Sequence, residues 1–129
     1  MMNAHDFSST IFDLAPVAMW LEDFSGVKEQ FELWRDEGVT DLRSYLLADV
    51  QRVAACSQKI KLLAVNARTL ELFEAPSFET LVGNLSRVFR DEMLQSHVNE
   101  LVALWEGRTE FSGTAINYSL SGRRLDIQL

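Results

Sequence analysis

Lys59-Ile60-Lys61-Leu62-Leu63-Ala64-Val65-Asn66-Ala67-Arg68-Thr69-Leu70-Glu71-Leu72-Phe73-Glu74 changes character at Asn66. Before Asn66 the apolar residues suit a strand, and after it they recur at helical spacing. Asn66 stands where its side-chain oxygen can accept the free N–H groups of a helix N-terminus. The stretch therefore predicts a strand over 59–65 that passes directly into short helices at about 66–74 and 78–83. Pro76 separates the two helices, because proline disfavours helix at the residue before it.

On the N-terminal side, Val17-Ala18-Met19-Trp20-Leu21-Glu22 reads as a first strand. Residues 1–7 read as a disordered lead. Ser8-Ser9-Thr10 can cap a short helix to about Leu14, which Pro16 ends. Between the two strands lies a helical block. Val27, Phe31 and Trp34 recur at i, i+4, i+7 and share one helix face, with Gly38 as the stop. Thr40 or Asp41 opens a second helix carrying Leu42, Tyr45 and Leu46, and a third carries Val50 and Val53 to Ser57.

On the C-terminal side, 84–90 reads as a loop with one helical turn. A long helix follows over about 92–106, capped by Asp91, with Leu94, Val98, Leu101 and Trp105 as its buried stripe. Glu110 to Leu120 reads as a third strand with Ile116, Tyr118 and Leu120 on one face. Ser121-Gly122 reads as a two-residue turn, and Arg123 to Leu129 as a fourth strand. With 129 residues the chain has the size of one domain, spanning 8–129.

Net charge of −7 argues against nucleic acid and against an anionic membrane surface, which need clustered Lys and Arg. One cysteine, Cys56, excludes an internal disulfide and a multi-cysteine zinc site. It reads as a small hydrophobe in a helix. The N-terminus lacks the basic and apolar regions of a signal peptide, and no apolar run approaches the roughly 20 residues of a membrane span. The cytoplasm is the expected location.

The order of elements, with Asp23, Asn66, Leu72-Phe73, Leu81-Val82-Gly83, Trp105-Glu106-Gly107 and the final hairpin, resembles the PAS, or sensory box, family. The resemblance implies an α+β fold: an antiparallel sheet of five strands with helices packed on one face around a small pocket. The fifth strand of the family lies between the first and the fourth. Only four strands are legible here, so the final central strand is expected to be missing and the chain to be a C-terminally truncated piece of a longer protein. The long block between the first two strands departs from the tight hairpin common in the family. That block, together with Leu104-Trp105-Glu106-Gly107-Arg108-Thr109, is similar to the N-terminal sensor of GGDEF diguanylate cyclases; sensor histidine kinases carry similar segments.

The resemblance implies a domain that does no chemistry itself. It binds a small ligand, or dimerises, to control a C-terminal output, a diguanylate cyclase in cyclic-di-GMP signalling. The alternative is a ligand-free dimerisation module of a sensor histidine kinase. A homodimer, acting through Ile11, Phe12 and Leu14, is the expected assembly. The ligand pocket is expected near Trp20, Leu63, Val65, Leu72, Phe73, His97, Leu101, Ile116 and Leu125. Trp34 and Trp105 are assigned to core packing.

No catalytic residue and no metal site is expected. His5 and His97 have no nucleophile motif around them. Adjacent Glu22 and Asp23 point to opposite sides of a strand, Asp91-Glu92 suits a helix start, and Arg123-Arg124 reads as solvation of a sheet edge. No cofactor is expected. A haem would need His97 as axial ligand, and the simpler reading is a boundary histidine. The flavin-binding members place a cysteine after the asparagine, where this chain has Ala67 in Asn66-Ala67-Arg68.

Overall fold

The computed structural model describes residues 11–128. Residues 11–14 are helical; the rest of the expected N-terminal lead and helix, and Leu129, lie outside the described residues. The first strand, β1 (Trp20–Asp23), is shorter than its apolar run. The helical block follows as α1 (Ser25–Asp36), α2 (Leu42–Ala48) and α3 (Gln51–Ser57). The apolar triad Val27, Phe31 and Trp34 forms the buried face of α1. Gly38 ends that helix with φ 95°, a conformation only glycine adopts freely, and Val39 N–H reaches back to the Trp34 carbonyl at 3.0 Å. Asp41 caps α2, its carboxylate accepting from Ser44 N–H at 3.2 Å.

After α3 comes β2 (Lys61–Val65), then Asn66 and α4 (Ala67–Leu72). The Asn66 side chain does more than cap. Its Oδ1 accepts from Thr69 N–H at 3.1 Å, from Thr69 Oγ1 at 2.8 Å and from Met19 N–H at 3.0 Å, while Nδ2 donates to the Val17 carbonyl at 2.7 Å. Asn66 and Thr69 are both fully buried. One amide thus ties the lead into β1 to the start of α4. Just past the end of α4 the chain turns at Glu74, whose φ is +56°, and Ala75 N–H bonds the Leu70 carbonyl at 2.9 Å.

Ser77 caps α5 (Phe78–Val82), and α6 (Leu85–Val88) supplies the helical turn expected in the loop. The long helix begins as a 3₁₀ turn, Asp91–Met93, and runs on as α7 (Leu94–Trp105). Asp91, expected as its cap, lies inside that turn, and no side chain caps either segment. Gly107 closes α7 at φ 79°, with Arg108 N–H on the Ala103 carbonyl at 3.0 Å. The chain finishes in β3 (Thr114–Tyr118) and β4 (Arg124–Gln128).

The class is α+β, but the strands form two separate antiparallel sheets among the described residues, β1 with β2 and β3 with β4. In the first, Trp20 faces Val65, and a bulge falls between Leu21 and Glu22. In the second, Asn117 faces Leu125 and Ile116 faces Asp126. Ile116 and Leu125, both expected at the pocket, lie on opposite faces of this hairpin. Ala115, Asn117 and Ser119 are the buried residues, and Ile116 shares the outer face with Asp126. The 3₁₀ turn before α7 packs against β3, and Asn117 Nδ2 donates to Met93 Sδ at 3.1 Å. Small and polar side chains lie on the face the turn packs against, so apolar alternation does not mark the buried face of this strand.

The expected two-residue turn is also longer. Ser119 N–H bonds the Arg123 carbonyl at 2.9 Å, leaving Leu120, Ser121 and Gly122 as a three-residue loop, with Gly122 at φ 92°. That loop docks on the end of α4: Leu120 N–H donates to the Phe73 carbonyl at 2.9 Å, and Ser121 Oγ to the Glu74 carboxylate.

Two apolar cores result. The helical core joins α1, α2 and α3 to α7 through Val27, Phe31, Leu42, Leu46, Val53, Val98 and Leu101. The second gathers Phe73, Leu81, Val88 and Leu125, with Trp20, Val65 and Phe89 against them.

Candidate functional site

A cleft of about 1550 Å³ opens between the two hairpins and α7. Strand β1 presents Trp20 and Glu22 to it, α4 and its end present Leu72 and Phe73, β3 presents Asn117, and β4 presents Ile127 and Gln128. Helix α7 and the 3₁₀ turn contribute Met93, His97 and Glu100, whose i, i+4, i+7 spacing puts them on one face. Among the described residues neither β1 nor β4 has a ladder partner on its second edge, and residues of both strands border this cleft.

An aromatic row crosses the site. Trp20 stands edge-on to Phe73 at 5.4 Å and lies 5.7 Å from Phe89; Phe89 meets the His97 ring edge-on at 5.8 Å. His97 Nδ1 lies 3.3 Å from Ser57 Oγ. Burial disfavours the imidazolium and holds His97 below its ordinary pKa.

The carboxylates are the unusual feature. Burial, reinforced by the charge of Glu22, pushes Glu100 up to about 7. Glu22 is itself raised by the surrounding chain, although its side chain is accessible where it borders the cleft. The cations at the rim are occupied. Lys61 stands opposite Asp23 in the β1–β2 register, and the Arg90 guanidinium lies 3.8 Å over the Tyr118 ring. Asn117 is only 4% exposed, and among the described residues its amide has one side-chain partner, the Met93 thioether, a weak acceptor.

Of the residues singled out from the sequence, Trp20, Leu72, Phe73 and His97 come together along the cleft. Val65 and Leu125 pack into the second core beneath it, and Leu101 lies in the helical core. Leu63 is 48% exposed and does not border the cleft, and Ile116 borders a different, polar groove that also runs past Arg43, Asn99 and Asp126. Sequence reasoning missed Glu22, Glu100, Asn117 and Phe89. The signal for Glu100 was present: it lies three residues after His97, beside the apolar stripe rather than in it.

Cys56 is buried within the helical core, and burial pushes its thiol up to about 11, so it is held as the neutral thiol. Among the described residues, no group of three or more His, Cys, Asp or Glu side chains converges as a metal site would require. No helix among them is long and apolar enough to cross a membrane. No protein-family model, no curated protein and no solved structure matches this chain.

Proposed function

We propose that this chain is a ligand-responsive regulatory domain of PAS type, which binds a small molecule in the cleft between its hairpins and passes the bound state to an output module. The observation that carries the reading is the cleft: aromatic side chains and a few polar groups converge on a concave space bordered by both hairpins and one long helix. In the PAS reading the two hairpins are halves of one sheet. A further strand between β1 and β4 joins them, satisfies both free edges and closes the cleft into a pocket. The output is a diguanylate cyclase by the resemblance of the helical block and the segment Trp105-Glu106-Gly107. A ligand controls such an output only by preferring one of two conformers.

The test is a thermal-shift screen of the protein against a small-molecule panel, repeated on Trp20→Ala. Ligands that raise the midpoint of the parent and not of the variant support the reading. A panel that moves neither, with native mass spectrometry showing no bound small molecule, contradicts it.

A second reading rests on a separate observation. Ile11, Leu14, Val17, Met19, Leu21 and Leu63 are exposed apolar residues in and around the first hairpin. Those residues suit a dimerisation module. Sedimentation of the parent and of Leu21→Glu separates the two: a dimer lost in the variant favours association through this face, and a monomer throughout favours the ligand reading.

A further inference from the structure

Four carboxyl groups border the cleft: Glu22, Asp91, Glu92 and Glu100. Glu22 and Glu100 border it without a salt bridge to any described residue. Asn117 lines it too; its Nδ2 is turned to Met93 Sδ, and its carbonyl oxygen has no hydrogen-bond partner among the described residues. The other charged groups bordering the space are Lys61, Arg90, Asp91, Glu92 and His97. Glu92 accepts from the Tyr118 hydroxyl at 2.7 Å, Arg90 covers that same ring, and Lys61 faces Asp23. Burial disfavours the charged form of His97. Among the described residues no cation forms a salt bridge with Glu22 or Glu100.

We infer that the cleft takes a protonated organic amine with a flat apolar body: the ammonium group lies between Glu22 and Glu100, and the apolar body lies along Trp20 and Phe89. This inference rests on the cleft being a ligand site and adds the class of ligand. Two carboxylates facing a shared space repel each other, and a cation placed between them removes that repulsion and supplies the donors they lack. Trp20 and Phe89, 5.7 Å apart and tilted by 37°, present aromatic surface to the ligand body. Aromatic faces also favour a cation held over them. An anionic ligand would meet Glu22, Glu100, Asp91 and Glu92 with only Lys61 and Arg90 to oppose them.

The test is calorimetric titration of the full chain with three probes that share a phenethyl body: phenethylamine, 2-phenylethanol and 3-phenylpropionate. Phenethylamine is expected to bind, more tightly at pH 8 than at pH 6 because Glu100 ionises across that interval while the amine stays charged. Glu100→Gln is expected to weaken it about ten-fold or more and to abolish the pH dependence. Should that variant not fold, the pH profile of the parent and Asn117→Ala carry the test. Equal binding of the amine and the alcohol, insensitive to Glu100→Gln, overturns the cation assignment and leaves the ligand site standing. Preferential binding of the propionate overturns it as well. No binding of any probe at either pH overturns both the assignment and the reading of the cleft as a site for ligands of this size.

Discussion

Trp34 and Trp105 belong to the helical core, and Trp20 belongs to the cleft. Phe31 is edge-on to Trp105 at 5.2 Å and tilted against Trp34, which in turn meets Tyr45 edge-on at 5.2 Å. Charge there stays at the surface: Arg35 lies 4.0 Å over the Trp105 ring and donates to the Trp105 carbonyl at 2.6 Å, closing the end of α7. Trp20 has comparable ring neighbours, but it borders a space shared with Glu22, His97 and Glu100. In the helical core aromatic packing excludes charge, and in the cleft it surrounds charge. The two faces of α7 divide these environments, with Val98 and Leu101 on one and His97 and Glu100 on the other.

The contrast predicts the largest stability loss on the closed side. Phe31→Ala removes a ring that is 2% exposed and is expected to cost about 3–5 kcal/mol in urea unfolding. Trp20→Ala is expected to cost less, about 1.5–3 kcal/mol, because the ring is only partly buried. An equal or larger loss at Trp20 would break the distinction between filled core and open cleft. Asn66→Ala ranks between these two. It orphans Met19 N–H and uncaps α4 in a fully buried place, with an expected loss of about 2–4 kcal/mol.

Glu100→Gln reverses the sign. The carboxyl has its pKa raised in the folded protein from an ordinary value of 4.5 to about 7, so the native state holds a proton that the unfolded chain releases. Its contribution is fully present below about pH 4.5 and is lost as pH rises through 7. The variant is therefore expected to be more stable than the parent at pH 8, by about 1–3 kcal/mol, and no more stable at pH 4.5. His97, held low by burial, acts oppositely: it lowers stability as pH falls through the ordinary histidine range, in parent and variant alike. Denaturant midpoints of both proteins at several pH values isolate the Glu100 part. The smallest effect is expected at Leu63→Thr, within about 0.5 kcal/mol, because the side chain is half exposed and β-branched threonine suits a strand. Phenethylamine affinity should be unchanged by it.

The helical core was legible because it follows simple periods. Val27, Phe31 and Trp34 on α1, and Val98 and Leu101 on α7, are spaced as one helix face requires, and Gly38 and Gly107 end their helices as glycines do. The Asn66 cap was legible for the same local reason, but its bonds to Val17 and Met19 were not, since they join residues 47 and 49 positions apart. The buried face of the second hairpin was not legible, because β3 buries the small and polar residues Ala115, Asn117 and Ser119. The cleft was half legible. Aromatic and histidine residues stand out in a sequence, whereas Glu22 and Glu100 look like surface charge until the fold brings β1 and α7 together.

The chain has three tryptophans, one in the cleft and two in the helical core, so their indole N–H signals report both regions in one experiment. The most direct test is a ¹H–¹⁵N spectrum of the labelled protein during titration with phenethylamine at pH 8. The account predicts that the Trp20 signal moves with saturation while those of Trp34 and Trp105 stay in place. Three stationary signals at saturating amine, or shifts of Trp34 and Trp105 as large as that of Trp20, would contradict it.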